Sequence, residues 1–119
     1  MTEFLVEVVE NIVVIHIQLE RATLSKAGFF RDTITELVQT GTREIIVDCR
    51  TIDFMDSTFL GALVVSLKKI KSLDGDLRLV FSNQTSAVWS MFEATRMFKV
   101  IKSYFSLEEA IKSYKTPIE

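Results

Sequence analysis

Residues 44–73 read EIIVDCRTIDFMDSTFLGALVVSLKKIKSL. Three β-branched residues in a row, Ile45 to Val47, are typical of a strand that is buried on both faces of a sheet. After a connection over 50–56, apolar residues recur at helical spacing, which predicts a helix from about Ser57 to Leu73. Its predicted buried stripe comprises Leu60, Leu63, Val64, Leu67 and Ile70, and its predicted outer face Ser66, Lys68, Lys69 and Lys71.

The segments before this stretch predict a hairpin and a helix. Two runs rich in Val and Ile flank Glu10-Asn11, which predicts a β-hairpin with Asn11 at positive φ. A loop over 20–28 then leads into a helix that ends at Gly41. The buried stripe predicted for this helix comprises Phe30, Ile34, Leu37 and Val38.

The segments after it continue the alternation of strands and helices. The turn 74–76 precedes a strand over 77–81, and a third helix begins near Thr85 or Ser86. Val100-Ile101 is predicted as a short last strand. Ser106 and Glu109 have the spacing of a capping box, which opens a final helix to about Tyr114. The order predicts an α/β fold with a mixed, mostly parallel sheet of four to five strands, an antiparallel N-terminal hairpin strand and about four helices, mainly on one face.

Composition limits the classes of function. The chain has 119 residues, 48% of them hydrophobic, and a formal charge of −2. We predict one domain over residues 1–115 and a short tail over 116–119. With no basic surplus, direct nucleic-acid binding is not expected. One His and one Cys supply no Cys/His zinc site and no internal disulfide. Neither a signal sequence nor a membrane span is predicted, so we expect a cytoplasmic protein without membrane association or a cofactor.

The junction Asp56-Ser57-Thr58 is the most informative site in the sequence. A serine at the start of a helix commonly caps it by accepting a backbone N–H, and that is the simplest role for Ser57. The alternative is that Ser57 is displayed to a modifying partner, because a helix N-terminus favours anions such as a phosphate. Gly61, inside the same helix, predicts a close approach to the sheet or to a partner. Asp53 and Asp56 lack the base, glycine-rich loop or metal ligands that would complete an active site.

Outside that junction, each chemically distinctive residue has a structural explanation. His16 is predicted as a half-exposed sheet residue and Cys49 as a small core residue. Trp89 is predicted as partly buried packing, with an interface anchor as the alternative. The lysines at 68, 69 and 71 are predicted as a solvated helix face, and alternatively as a docking patch for an acidic partner.

The run from Val47 to Gly61 resembles the signature of the STAS domain family, which includes the bacterial anti-sigma factor antagonists. The family motif D-S-[ST]-G-L-G resembles DSTFLG at residues 56–61, which agrees at every position except Phe59. Residues 74–81, 86–95 and 104–110 are similar to the family's next strand, third helix and closing segment. The resemblance covers nearly the whole chain, and its order of strands and helices agrees with the order above.

This resemblance implies a regulatory protein without catalysis of its own. In the family, the unphosphorylated antagonist binds an anti-sigma serine kinase and releases a sigma factor. The kinase phosphorylates the serine after the aspartate, and a metal-dependent serine phosphatase resets it. Carried over, the phosphorylation site is Ser57, with Thr58 as the fallback, and Asp56, Ser57, Thr58, Phe59 and Thr23 are the partner-binding residues. We expect a monomer or a weak dimer.

The chain departs from the family pattern at three positions. Phe59 replaces a glycine, and as an aromatic in the first helical turn it is expected to reshape the docking surface or to anchor a specific partner. Thr23 stands where the family has an aspartate near the serine, and Arg96 replaces the glycine that ends the third helix.

Two alternatives to the switch remain. The Phe59 and Thr23 departures favour a STAS scaffold or adaptor subunit of a larger signalling or lipid-transport complex that never uses its serine. The α/β order alone would also allow a small enzyme or nucleotide-binding domain. However, the sequence contains no P-loop and no G-x-G-x-x-G motif, and a fold is a weak warrant for a function.

Overall fold

The computed structural model describes residues 3–115, which contain seven strands and four α-helices. In chain order these are β1 Phe4–Val9, β2 Ile12–Ile17, β3 Arg21–Ala22, α1 Leu24–Gln39, β4 Glu44–Asp48, β5 Phe54–Met55, α2 Ser57–Lys71, β6 Asp76–Val80, α3 Ala87–Ala94, β7 Ser103–Tyr104 and α4 Leu107–Lys115. A 3₁₀ helix, Met97–Lys99, connects α3 to β7. The predicted boundary between domain and tail stays a prediction, because residues 116–119 lie outside the described residues.

The main sheet has five strands in the order β1-β2-β4-β6-β7. β1 is antiparallel to β2, and every other neighbouring pair is parallel. The predicted fold class, a mostly parallel sheet with an antiparallel hairpin strand, is therefore confirmed. The parallel strands end together, so the loops that follow β2 and β4 lie at the same edge.

The two faces of the sheet are covered unequally. Buried residues of α1, α2 and α3 pack on one face in the larger cluster, together with alternate strand residues such as Val13, Ile15 and Val47. The other face carries the smaller cluster, in which Ala110 of α4 packs on Val14 and Ile46. Three helices on one face and one on the other confirm that the helices lie mainly on one side.

The turns agree with the sequence in kind and differ in detail. The residue with positive φ in the hairpin is Glu10, at 59°, and not the predicted Asn11. Gly41 has a φ of 100° just after α1, as expected of a glycine that ends a helix. Ser106 caps α4 as predicted, because the Glu109 N–H donates to Ser106 Oγ at 3.0 Å, and the Glu109 carboxylate contacts the Ser106 hydroxyl at 3.2 Å.

Two segments predicted as loops contain short strands. β3 lies in the predicted loop 20–28 and β5 in the predicted connection 50–56, and they pair in parallel as a separate two-stranded sheet. α1 also begins earlier than predicted, at Leu24. Strands of two residues have no periodicity to detect, and their pairing depends on contacts far apart in the chain.

The prediction of a last strand at Val100-Ile101 is wrong, because β7 lies at Ser103–Tyr104. Val100 ends the 3₁₀ helix and is exposed, whereas Ile101 is buried in the core as a single residue. Arg96, which replaces the family's glycine, has a φ of 60°. The backbone there adopts the left-handed conformation that glycine adopts without steric strain.

Candidate functional site

The N-termini of α1 and α2 meet at the carboxyl edge of the sheet. The parallel pairing of β3 and β5 sets Arg21 opposite Phe54 and Ala22 opposite Met55. At the end of this pairing the Asp56 N–H donates to the Ala22 carbonyl oxygen at 3.1 Å. The residues that open the two helices, around Thr23 and Asp56, are therefore held side by side.

One carboxylate serves both helix N-termini. Asp56 is the N-cap of α2, and its Oδ1 accepts from the Phe59 N–H at 2.9 Å. Its Oδ2 accepts from the N–H of Leu24, the first residue of α1, at 2.8 Å. The hydrogen bond from Phe59 contributes most to lowering the pKa of Asp56, with smaller effects from the Leu24 and Thr58 N–H groups and the charge of Arg21. Asp56 is therefore ionised and fixed in place.

Ser57 is the first residue of α2 and is exposed. The prediction that it caps the helix is wrong, since Asp56 occupies the cap position. The sequence contained a signal for this cap, because aspartate is as good an N-cap residue as serine and Asp56 stands one position before Ser57. The neighbouring Thr58 is also exposed, so both predicted acceptor hydroxyls face solvent.

Two exposed apolar side chains belong to the elements next to Asp56. Leu24 is 68% exposed and Phe54 is 42% exposed, each at the start of an element adjoining Asp56. Leu24 was not predicted as a site residue, because the pairing of the two helix N-termini could not be inferred from local pattern. We name the five residues Thr23, Leu24, Phe54, Ser57 and Thr58 the Ser57 surface.

The prediction that the Phe59 side chain lies on the docking surface is wrong, because the side chain is buried. Its exposed fraction is 0%, and its ring lies 5.4 Å from that of Phe30 and 6.5 Å from that of Phe4, between centroids. Phe59 is the third residue of α2, and the first turn directs it towards α1 and the sheet. It can influence a partner only through the position of the helix.

Thr23 lies at the predicted place beside the serine junction. It occupies the N-cap position of α1, where its side chain makes no capping hydrogen bond. Its Oγ1 lies 3.3 Å from the hydroxyl of Ser25. The carboxylate of Asp56 performs the capping that Thr23 does not, which explains why α1 begins at Leu24 without an acidic residue of its own in the first turn.

A pocket of about 200 Å³ adjoins the Ser57 surface between β5 and α3. Its walls are mainly apolar, and they are formed by Asp53, Phe54, Met55, Ala87, Val88 and Met91. The guanidinium carbon of Arg21 lies 4.4 Å from the centroid of the Phe54 ring, a cation–π contact. The apolar pocket and the Arg21 guanidinium thus lie next to the serine junction.

Other distinctive residues lie away from this site. Cys49 is buried, and burial raises the pKa of its thiol, which agrees with a core residue rather than a nucleophile. His16 is half-buried, as predicted. Trp89 is also half-buried, with its ring 4.9 Å from that of Phe105, as packing requires. Within residues 3–115, no group of three or more His, Cys, Asp or Glu residues has the geometry to hold a metal ion.

Two details of α2 differ from the sequence predictions. Ser66 is buried and not on the outer face, whereas Lys68, Lys69 and Lys71 are exposed as predicted. A Cβ atom at Gly61 would meet nothing within 4 Å, so this glycine does not permit a close approach to the sheet. That Gly61 lets α2 approach a partner closely stays a prediction. Among the residues described, no helix is long and apolar enough to cross a membrane.

Comparison with known proteins shows a consistent set of relatives. The chain is 26% identical over 110 residues to a candidate anti-sigma factor antagonist of Thermotoga neapolitana, which covers 89% of this chain and 92% of that protein. An anti-sigma factor antagonist from Mycobacterium paratuberculosis has a similar structure, with a TM-score of 0.84, 18% identity and coverage of 95% and 93% of the two chains.

The phosphorylated form of SpoIIAA, a Bacillus cell-fate determinant, is similar with a TM-score of 0.70 and 21% identity, over 93% of this chain and 98% of that chain. At these identities the two structures show the fold alone. The sequence model of the STAS domain, however, matches residues 3–110. The resemblance stated from the serine junction is therefore confirmed, and the chain belongs to the STAS domain family.

Proposed function

We propose that this protein is an anti-sigma factor antagonist whose unphosphorylated form binds an anti-sigma serine kinase and thereby releases a sigma factor. The observation that carries the proposal is the exposed Ser57 hydroxyl, presented at the first position of α2 by the fixed carboxylate of Asp56. The family match and the antagonist names of the relatives support the same role.

The Ser57 surface has the composition of a docking site. Leu24 and Phe54 present exposed apolar area at the starts of α1 and β5, which adjoin Asp56, and the neighbouring pocket can receive a side chain from a partner. Interfaces are commonly built from such an apolar centre with a few polar groups. We expect a kinase to contact the N-terminal turns of both α1 and α2, because Asp56 joins them.

Phosphorylation of Ser57 would act on docking rather than on folding. A phosphate adds a charge of about −1.5 to −2, which the N-terminus of α2 tolerates locally. Across an interface, however, this charge must be desolvated beside Asp56, whose carboxylate is already ionised. The phosphorylated form is therefore expected to lose the kinase, and a metal-dependent serine phosphatase would restore binding.

In the proposed function, the protein acts by binding a partner and not by catalysis. The described residues contribute a capping carboxylate and two hydroxyls at the site, and no side-chain base hydrogen-bonds to Ser57 or Thr58 among them. The site therefore suits a protein that is modified by another enzyme. We place its action in the cytoplasm, where sigma factors and their kinases work.

The experiment pairs the purified protein with each anti-sigma kinase encoded in its own genome, in the presence of ATP. We expect phosphate on Ser57 by peptide mass spectrometry, and at least a tenfold loss of kinase binding for Ser57→Asp by calorimetry. Ser57→Ala and Thr58→Ala serve as matched controls that keep binding. The proposal is wrong if Ser57 stays unmodified and Ser57→Asp binds every kinase as well as the wild type.

A second candidate is the scaffold or adaptor that never uses its serine. The observation in its favour is that Thr23 carries no carboxylate beside Ser57 and makes no capping bond of its own. This candidate predicts a stable complex in native cells whose amount is the same for wild type, Ser57→Ala and Ser57→Asp. Affinity isolation with those three variants separates it from the switch.

A further inference from the structure

The outer side of α2 carries a continuous exposed ridge that begins at Ser57. Its residues follow one another at spacings of four, four and three positions: Ser57, Gly61, Val65 and Lys68. Residues at these spacings lie above one another along one side of an α-helix. All four are exposed, and we name them the α2 ridge. At about 1.5 Å per residue, Lys68 lies about 16 Å from Ser57 along the helix axis.

Gly61 has no structural explanation within residues 3–115. A glycine in the interior of a helix is less favourable than alanine, because it loses more backbone freedom on folding. Gly61 has the helical backbone conformation that every other residue can adopt, so its backbone does not require glycine. A Cβ atom on it would meet nothing within 4 Å, so packing does not require glycine either. The missing side chain therefore leaves the backbone of α2 open to contact from outside the chain.

Val65 lies one turn further along the α2 ridge. Its side chain is 54% exposed, whereas the other large apolar residues of α2 are buried or half-buried. Valine is also a poorer helix former than alanine or lysine, because its branched side chain loses rotamer freedom in a helix. Two residues that weaken a helix thus occupy consecutive turns directly after Ser57. A partner that packs on the ridge would bury Val65 and fill the space above Gly61.

The far end of the ridge is positively charged. Lys68, Lys69 and Lys71 are exposed in the last turn of α2, where the helix dipole favours cations. Lys69 is directed towards α1, because its Nζ donates to Thr35 Oγ1 at 3.1 Å. None of the three forms an ion pair within residues 3–115, whereas four other lysines do: Lys26, Lys102, Lys112 and Lys115. The charge that complements Lys68 is therefore a carboxylate supplied from outside these residues.

The usual size of a protein interface exceeds that of the Ser57 surface. A specific interface covers about 800 Å² on each partner, which corresponds to a circular patch with a radius of about 16 Å. A kinase that reaches the Ser57 hydroxyl through such an interface would also cover the next turns of the adjoining elements. The α2 ridge starts at Ser57 itself. Within that radius it presents an open backbone, an apolar side chain and a cation in one line.

We propose that the α2 ridge is part of the surface that binds the anti-sigma kinase, and that the kinase segment lying on it is acidic and presents an apolar side chain. The inference rests on the proposed function, since that function requires the kinase to reach Ser57. Gly61 lets the segment approach the backbone of α2, Val65 contacts its apolar side chain, and Lys68 pairs with its carboxylate. The ridge then selects among kinases by the charge of this segment, whereas Ser57 switches binding on and off.

Charge reversal tests for the acidic segment. The probe is the anti-sigma kinase of the same genome that binds the wild type most tightly, without ATP, so that Ser57 stays unmodified. We expect Lys68→Glu to weaken binding at least fivefold by calorimetry, and by less at high salt, because ions screen the pair. Lys112→Glu is the matched control. It makes the same change of charge on α4, which packs on the opposite face of the sheet, and should leave binding unchanged.

Gly61→Ala separates binding from folding. Alanine is the better helix former and its methyl group would meet nothing within 4 Å, so the variant should unfold at a higher urea concentration than the wild type. Its binding to the kinase should nevertheless weaken at least threefold, because the methyl group occupies the space above the backbone. Val65→Asp should weaken binding at least tenfold, because it sets a carboxylate against an acidic segment.

The outcomes separate this inference from the proposed function. If Ser57→Asp abolishes binding while Lys68→Glu and Gly61→Ala bind as tightly as the wild type, the ridge lies outside the interface and this inference alone is wrong. If no kinase binds the wild type, both are wrong. Lys68→Glu might leave kinase binding unchanged and instead reduce binding to phosphatidylglycerol vesicles or self-association of the chain. Either result would assign the ridge to a membrane or to a second copy and overturn the proposal.

Discussion

The carboxylate of Asp56 accepts a hydrogen bond at 2.8 Å from the backbone N–H of Leu24, a residue 32 positions earlier in the chain. The same carboxylate caps its own helix through the Phe59 N–H. Two helix N-termini are thereby held in a fixed relation beside Ser57. Asp56, the aspartate before the serine, thus stabilises the N-termini of α1 and α2, in addition to any part in partner recognition.

The first prediction concerns that carboxylate. Asp56→Ala removes the acceptor for two backbone N–H groups, so we expect a lower midpoint of thermal unfolding. Asp53→Ala is the control, because Asp53 is exposed and three residues away in the same connection. Thermal unfolding followed by circular dichroism at pH 7 measures both. Equal midpoints of thermal unfolding for the two variants would show that Asp56 does not stabilise the two helix N-termini.

The second prediction concerns Phe59. Because its ring is fully buried against Phe4 and Phe30, Phe59→Ala should lower the free energy of unfolding by about 3–5 kcal/mol. Phe54→Ala removes a ring of the same size at an exposed position, and its effect should be much smaller. Urea denaturation measures the difference. Similar losses for the two variants would mean that Phe59 is not a core residue.

The third prediction concerns Arg96. Its left-handed backbone conformation is unfavourable for a residue with a Cβ atom, so Arg96→Gly should raise the free energy of unfolding by about 1 kcal/mol. Glu93→Gly, inside α3, should lower it by about 1 kcal/mol. Urea denaturation of both variants checks the opposite signs. A loss of stability in Arg96→Gly would show that the side chain itself is needed.

The fourth prediction concerns pH. His16 Nδ1 lies 2.7 Å from Asp48 Oδ2, and Nε2 lies 2.7 Å from Glu7 Oε1. Burial acts to lower the pKa of His16, but the two hydrogen bonds and the two negative charges together raise it above its ordinary value of 6.5. Arg50 also pairs with Asp48, which keeps that carboxylate ionised. The imidazolium form is therefore stabilised in the folded protein.

Because the pKa is raised on folding, the stabilisation is complete below the unfolded value of 6.5 and is lost as pH rises through the folded value. The stability advantage of wild type over His16→Gln should accordingly shrink as pH rises above about 6.5. The chain has one histidine, so an NMR titration reads its pKa without ambiguity. Glu7→Gln should lower that pKa, and Glu10→Gln should not. An unchanged pKa in Glu7→Gln would contradict the contact.

Local pattern was enough for the elements that carry long periodic signals. The row of β-branched residues at 45–47 and the helical stripe from Leu60 to Ile70 predicted β4 and α2, since each depends on side chains within one element. The capping box at Ser106 and the glycine after α1 marked two helix boundaries for the same reason. The serine junction identified the family, because the motif is contiguous in the chain.

Other features of the protein depend on contacts between segments that are far apart in the chain, and only the tertiary structure decided them. The bond from Leu24 to Asp56, the burial of Phe59 against Phe4 and the pairing of β3 with β5 each join residues brought together by a crossover connection. The position of β1 at the edge of the main sheet likewise depends on strand order, which periodicity does not encode. A sequence determines which faces are apolar, but packing of whole elements determines which of those faces meet and which remain open.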